Sequence, residues 1–335
     1  MSWLVTGGAG YIGAHVVRSL LAAGHDVVVA DDLSTGSLLR VPPAAHFVRA
    51  RITDRWALDA IFAAHRIDGV VHLAGRKSVA ESLADPLGYH RVNVTGLAVL
   101  LEAMAAAAVT RLVFSSSAAV YGPGSGQPLA ESSPLAPASP YGRTKLAGEQ
   151  LIRDCAAAGS LSWIALRYFN VAGAAEPALG DQGGENLLPR IFRAALTGDP
   201  LTVYGDRHPT RDGTAVRDYV HPADIASAHA VAVSAVTRGR RADVYNAGTG
   251  TGSSVRELIA MTEAVTGLSV PIRIGAARPA DPPHTVADVG LIRARTGWRP
   301  RHGLAEQVES AWAATGATPV APVARLTPVA EFAAL

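Results

Sequence analysis

The chain has 335 residues, 49% of them apolar and 17% charged, with a formal net charge of +2. That apolar share supports a buried core and excludes global disorder, and a near-neutral balance leaves no electrostatic footprint for nucleic acid. A single cysteine, Cys155, excludes a disulfide framework and a cysteine-based zinc site, and it fits a reducing, cytoplasmic setting. Met1–Gly10 runs straight into a strand and turn with no basic leader or cleavage site, and the longest uncharged stretch, Leu112–Ala130, is too rich in Ser, Gly and Pro for a membrane helix. Trp3–Thr6 reads as a buried strand, Ile12–Ala23 has helical spacing, and Asp26–Ala30 is a second strand. His46–Val48 is a weaker strand and Trp56–His65 an amphipathic helix. Gly69–Leu73 and Arg111–Phe114 are further strands with a helix over Asn93–Ala108 between them, followed by a helix over Pro140–Ala157 and a strand over Ser162–Arg167. Apolar strands alternating with helices predict an α/β fold, a Rossmann-type doubly wound parallel sheet covered on both faces.

After Asn170 the rhythm changes. Gly173–Gly184 is a Gly/Ala/Pro-rich connection, Leu187–Leu196 a helix, Leu201–Tyr204 a short strand, and Asp206–Thr214 a polar turn region. Pro222–Val236 is helical, Val244–Asn246 a strand, and Val255–Thr266 a helix that Ser254 and Glu257 would cap as a box. The expected division is a nucleotide-binding domain over 1–172, a smaller α/β substrate lobe over 173–315 interleaved with it, and a loosely packed tail over 316–335.

Two constellations carry chemistry. Gly7, Gly10 and Gly13 lie between the first strand and the first helix, where glycine permits a tight turn and close approach of a pyrophosphate to a helix N-terminus. Asp31 ends the second strand, placed to accept hydrogen bonds from both ribose hydroxyls and to repel a 2′-phosphate, which favours NAD over NADP; Asp32 reinforces the local charge. Tyr141 and Lys145, four residues apart, share one helix face, so an ammonium could lower the phenol's pKa and make it a general base. Ser115–Ser117 follows the fifth strand, at the sheet edge where α/β sites form. Only two lysines occur among 30 basic residues, Lys77 and Lys145, so each suggests a role that arginine cannot fill. The histidines lack metal-ligand spacing, so no metal is expected. His72 and His221 read as structural, and Asp218 and Asp224 as loop and helix-start residues.

These residues resemble the extended short-chain dehydrogenase/reductase family, within its NAD-dependent branch that acts on nucleotide sugars. The resemblance runs from about residue 3 to residue 312 and rests on Thr6–Gly13, His72–Gly75, Lys77–Ser82, Asn93–Gly96, Ser115–Gly122, Pro140–Lys145, Arg167–Asn170, Asn186–Pro189 and Asp212–His221. It implies an isomerase that exchanges UDP-glucose and UDP-galactose through a 4-keto sugar and bound NAD. Tyr141 would be the base and Ser117 its hydrogen-bonding partner, with Lys145 on the nicotinamide ribose. Gly7, Gly10, Tyr11, Ile12, Gly13, Asp31, Asp32, Ile52, Ala74, Lys77, Asn93 and Tyr168 would complete the cofactor site. Asn170, Asn186, Leu187, Tyr204, Arg217, Arg278, Asp281 and Thr285, with Lys77, Ser117 and Tyr141, would hold the UDP-sugar. A homodimer through the helices near Asn93–Ala108 and Pro140–Ala157 is also implied. Two departures stand out: Arg51 occupies a position usually taken by an Asp that bonds adenine, and Thr285 stands where some members carry a bulky Tyr, leaving room for an N-acetyl group. The rival readings are a 4,6-dehydratase, which would need an acid and a base where Ala118 and Ala119 stand, a decarboxylase, a pentose or uronate epimerase, and a non-enzymatic NAD-binding regulator.

Overall fold

The computed structural model describes residues 1–122, 126–239, 241–278 and 282–317. In the first half the chain forms β1 (Ser2–Thr6), α1 (Tyr11–Ala22), β2 (Asp26–Asp31), β3 (His46–Arg49), α2 (Arg55–Ala64) and β4 (Gly69–His72). Two short helices, α3 (Val79–Ala84) and α4 (Pro86–His90), lead into a π turn over Arg91–Thr95 and then α5 (Gly96–Ala106). β5 (Arg111–Ser117), α6 (Pro140–Ala158) and β6 (Ser162–Tyr168) complete this half. α6 starts sharply because Ser139 Oγ accepts from Gly142 N at 3.1 Å and Pro140 occupies the first turn, where its missing N–H costs nothing.

The second half contains β7 (Asn170–Val171), α7 (Leu187–Thr197), β8 (Leu201–Tyr204), β9 (Val216–Val220), α8 (Pro222–Arg238) and β10 (Ala242–Ala247). It ends with β11 (Gly252–Ser254), α9 (Val255–Thr266), β12 (Ile272–Gly275), β13 (His284–Thr285), α10 (Gly290–Thr296) and α11 (Leu304–Ala313). Read from one edge, the main sheet runs β3-β2-β1-β4-β5-β6-β10, with every pairing parallel. This is the doubly wound order, with its topological switch between β1 and β4. β10 returns from the second half to extend this sheet, and α8 packs beside α1 on one face. β9 centres a smaller sheet, pairing with β11, β13 and β7, while β8 pairs with β12.

Two apolar cores sandwich the main sheet: Val5, Val29, Val71, Val113 and Ile164 face α1 and α8, while Leu4, Val28, Val70, Leu112 and Phe114 face α2, α5 and α6. That alternation is the period of two of a strand, and burial on both faces makes these strands nearly continuous apolar runs. A third core, around Leu188, Ile191, Phe192, Leu258 and Trp312, closes the lobe. The capping box of α9 forms as its sequence predicts. Four helices, α3, α4, α10 and α11, and the strands β7, β9, β11, β12 and β13 are additions to the elements expected from the sequence. Asp218 corrects a loop reading: it lies inside β9, fully buried, and accepts hydrogen bonds from the backbone of Thr249, Gly250 and Ala287. The tail beyond residue 317 lies outside the described residues. Among the described residues no helix is long and apolar enough to cross a membrane.

Buried neutral histidines set an acid limit on the fold. Burial pushes His72 down to about 3 and His15, His221 and His229 down to about 4. Between pH 6.5 and 4 the unfolded chain therefore binds protons that the native chain refuses, so stability falls as pH falls through that window. Urea unfolding at pH 4.5 is expected to show a loss of at least ~2 kcal/mol relative to pH 7. A flat profile would mean that these imidazoles take up protons without unfolding.

Candidate active site

The turn after β1 is built for close approach by a ligand. Gly7 has φ +73°, and a Cβ there would sit 2.6 Å from Ala74 N, across the switch between β1 and β4. A Cβ on Gly13 would fall 2.0 Å from Gly7 O, so glycine is required for the helix to pack against the turn. Gly10 caps α1 without a side-chain cap, and the first turn contains no acidic residue. The backbone N–H groups of Tyr11 and Ile12 thus belong to a helix N-terminus of the kind that takes a diphosphate. Asp31 accepts from Ala9 N at 3.0 Å and Leu33 N at 2.9 Å, which ties the end of β2 to the turn and leaves carboxylate lone pairs for ribose hydroxyls. Burial raises the Asp31 pKa, and those two backbone bonds oppose the rise. Asp32 is bound locally to Ser34 N. The residues present fit a dinucleotide: a turn that requires glycine at Gly7 and Gly13, a helix end and a carboxylate are in the required order.

Further along the sheet edge, Ile52 packs into the space left by the missing side chain of Gly96. Arg51 is exposed. Lys77 is exposed too, with Nζ 5.7 Å from the centroid of the Tyr11 ring. Asn93 lies in the π turn, a local widening of the kind that often marks functional sites. Its Oδ1 accepts from Arg76 N at 2.8 Å, and its Nδ2 donates to Arg76 O and to Thr144 Oγ1, both at 3.0 Å. Asn93 therefore pins the loop after β4 to α6.

The Ser–Tyr–Lys group converges where β5 ends. Ser115 and Ser117 share one face of the strand, and register places Ser117 beside Tyr168 of β6. The Tyr141 ring packs edge-on against Tyr89, with centroids 6.4 Å apart. Burial raises the pKa of Tyr141, and a side-chain hydrogen bond with Ser117 offsets part of that rise. Lys145 Nζ reaches the strand and donates to Ser115 O at 2.8 Å. Burial lowers the pKa of Lys145 to about 8, opposed by the charge of Glu149. Tyr168 is buried and bonded to His229 Nε2. His229 Nδ1 faces Ile225 O at 2.9 Å, which assigns the proton to Nδ1 and makes the Tyr168 hydroxyl the donor to Nε2.

Beyond Lys77, Ser117 and Tyr141, the residues expected to hold the sugar nucleotide lie in the second half. Arg217 on β9 is in register with Thr285 on β13. The Tyr204 ring carries the Arg278 guanidinium 3.8 Å from its centroid and that of Arg190 at 6.0 Å, and these cations lower its pKa. Asn170 is exposed on β7, and Asn186 precedes α7, donating through Nδ2 to Asp181 Oδ2 at 2.5 Å. Leu187 is partly buried at the start of α7. Asp281 lies outside the described residues. Among the described residues no group of three or more His, Cys, Asp or Glu is placed to hold a metal ion.

Sequence reasoning overlooks Tyr89, Thr144, His229 and Glu149. Tyr89 and Thr144 meet the site through contacts remote in sequence and leave no local signal. Glu149 does leave one: it follows Lys145 by one turn on the buried stripe of α6, where an acid needs a partner. That partner is Arg167, whose Nε and Nη2 donate to the carboxylate at 2.9 and 2.7 Å.

A doubly wound sheet with a glycine turn at its switch point, and a Ser–Tyr–Lys group at the carboxyl ends of its strands, defines a dinucleotide-dependent enzyme of the short-chain dehydrogenase type. Residues 3–248 match the model of the NAD dependent epimerase/dehydratase family. The chain belongs to that family. It is 43% identical over 325 residues to a UDP-glucose 4-epimerase of Bacillus subtilis, covering 93% of this chain and 96% of that protein. Its fold is similar to a crystal structure of UDP-glucose 4-epimerase from Stenotrophomonas maltophila with bound NAD and formylated UDP-arabinopyranose: TM-score 0.90, 42% identity, 94% of this chain and 98% of that one. It is likewise similar to the Brucella ovis UDP-glucose 4-epimerase in complex with NAD: TM-score 0.89, 39% identity, 92% and 97% coverage.

Proposed function

We propose that this chain is a UDP-hexose 4-epimerase that interconverts UDP-glucose and UDP-galactose with NAD retained through the cycle. The observation that carries the reading is the Tyr141–Ser117 pair at the carboxyl end of β5, in the same sheet as the glycine turn that follows β1, with Ala118 and Ala119 following Ser117. Gly7, Gly10, Tyr11, Ile12, Gly13, Asp31 and Asp32 would hold the adenosine and diphosphate end of NAD, with Ile52, Ala74, Lys77, Asn93, Lys145 and Tyr168 along its length. NAD, when bound, would supply a hydride acceptor and a positive charge. Tyr141 Oη takes the proton of the sugar C4 hydroxyl while Ser117 Oγ bonds the reacting oxygen, and the same phenol returns the proton after the keto sugar has turned over. Turning over requires a firm grip on the nucleotide and a loose one on the sugar. Asn170, Asn186, Leu187, Tyr204, Arg217, Arg278 and Asp281 are the proposed nucleotide grip, since guanidinium forks match phosphate oxygens. Ala118 and Ala119 cannot transfer protons, which disfavours dehydration.

Thr285 supports a wider pocket that accepts N-acetylhexoses. The chain would divide into the nucleotide-binding domain over 1–172, extended by α8 and β10, and the lobe over 173–315. A cytoplasmic homodimer is proposed as well, supported by exposed Leu83 and Leu87, 65% and 76% accessible, on the short helices that pack beside α6.

The test is a panel of UDP-galactose, UDP-N-acetylgalactosamine, UDP-pentoses and UDP-uronates incubated with the purified protein and no added nicotinamide. UDP-galactose is expected to give UDP-glucose as the product. A stable keto sugar would make the protein a dehydratase, turnover of pentoses or uronates alone would move the substrate class, and no turnover would leave a binding protein.

A further inference from the structure

The connection that leaves β7 for the lobe is held from both sides by side chains. Tyr11 Oη donates to Gly173 O at 2.6 Å, and Ala175 N donates to His15 Nε2 at 3.1 Å. Ala174 N donates to Ser310 Oγ of α11 at 3.2 Å. The partners assign the protons. His15 Nδ1 lies 2.8 Å from Tyr11 O and must carry hydrogen, which leaves Nε2 to accept. His221 Nδ1 accepts from Ala223 N, so its Nε2 donates to Ser310 Oγ at 3.1 Å, and Ser310 Oγ in turn donates to Gln307 O. Gly173 has φ +120° and lies so close to His221 that a Cβ would come within 2.4 Å of the imidazole. The seam continues downstream, where Arg18 pairs with Glu176 at 3.2 Å and Arg40 Nη2 donates to Gly180 O at 2.6 Å. Three successive residues with no ladder of their own thus have a backbone group satisfied by a remote side chain, two of these side chains on α1 and one on α11.

We propose that His15 and Ser310 are positioning residues for UDP-sugar binding: they clamp Gly173–Ala175 in the free enzyme and so hold in place the segment that runs to Asn186 and α7. The proposal rests on the UDP-sugar reading of the lobe. α1 presents its N-terminus to the cofactor turn and its flank to this connection, so one rigid helix serves both ligands. A clamp formed before binding removes an ordering cost that substrate would otherwise meet, and its loss weakens affinity while leaving the reacting groups in place.

The experiment compares His15→Phe, His15→Gln and Ser310→Ala as purified holoenzymes, measuring KM and kcat for UDP-galactose and the Kd of UDP by calorimetry. Phe removes both bonds of His15, and KM and the UDP Kd are expected to rise about 5- to 10-fold with kcat within about twofold of the parent. Gln offers an N–H for Tyr11 O and a carbonyl for Ala175 N, and is expected to restore both constants. Ser310→Ala acts from the opposite side with the same sign and decides the matter if the Phe variant does not fold. Unchanged UDP affinity in the variants, a fall in kcat in place of affinity, or failure of Gln to rescue would overturn the clamp. If the parent protein itself neither binds UDP nor turns over UDP-galactose, it is the UDP-sugar reading that fails.

Discussion

Tyr141→Phe is expected to lower kcat about a thousandfold, within the range that a positioned acid–base group contributes, with KM changed by less than about threefold. The phenyl ring keeps its edge-on packing against Tyr89, so the fold and the pocket wall persist. What is lost is the phenol oxygen that bonds Ser117 at the end of β5. Burial keeps that phenol protonated in the resting site, so the parent enzyme's rate is expected to climb as pH rises from neutrality, and the residual rate of the Phe variant to lose that slope. Steady-state rates with UDP-galactose across pH check both statements. A Phe variant within tenfold of the parent would remove Tyr141 from the chemistry.

Glu149→Gln is expected to cost about 3–5 kcal/mol in urea unfolding, the loss seen when one member of a buried ion pair is removed. Glu149 is 0% and Arg167 2% exposed, so the guanidinium left behind cannot turn to water. Glu149 Oε1 also accepts from Ser116 Oγ at 2.5 Å, and Arg167 Nη1 donates to Tyr121 Oη at 2.9 Å. Tyr121 in turn donates to Asn246 Oδ1 at 2.6 Å, and Asn246 Nδ2 holds Leu129 O at 2.7 Å. The chain of bonds fastens α6, which carries Tyr141 and Lys145, to β5, β6 and β10. Replacing both members by Met should recover much of the loss, because no uncompensated charge then remains. Equal destabilisation by the single and the double change would show that the neutral bonds, not the charges, hold this layer.

Much of this architecture was legible in the chain. Strands buried on both faces must read as apolar runs, and helices over them must show a 3.6 period, so the alternation up to Ser162–Tyr168 announced the parallel sheet. The small sheet of the lobe was not legible. β9 is a strand because β7, β11 and β13 pair with it, and the buried Asp218 inside it is tolerated only because the backbone of Thr249, Gly250 and Ala287 donates to it. The helix expected from Asn93 extends back to Pro86 through a π turn, since the polar Asn93 faces the loop after β4.

The sequence by itself determined the residue types and their order: glycines before the first helix, a carboxylate at the end of β2, and Tyr141 one turn from Lys145. Those are local constraints, set by backbone sterics and helical spacing. Only the tertiary structure decided where the side chains end. Lys145 reaches the carbonyl of Ser115, the charge of Glu149 is matched by Arg167 from a later strand, and His15 is joined to a connection 160 residues away. The reason is physical: a buried polar atom must find a partner, and in a fold with crossover connections that partner is as often far along the chain as near.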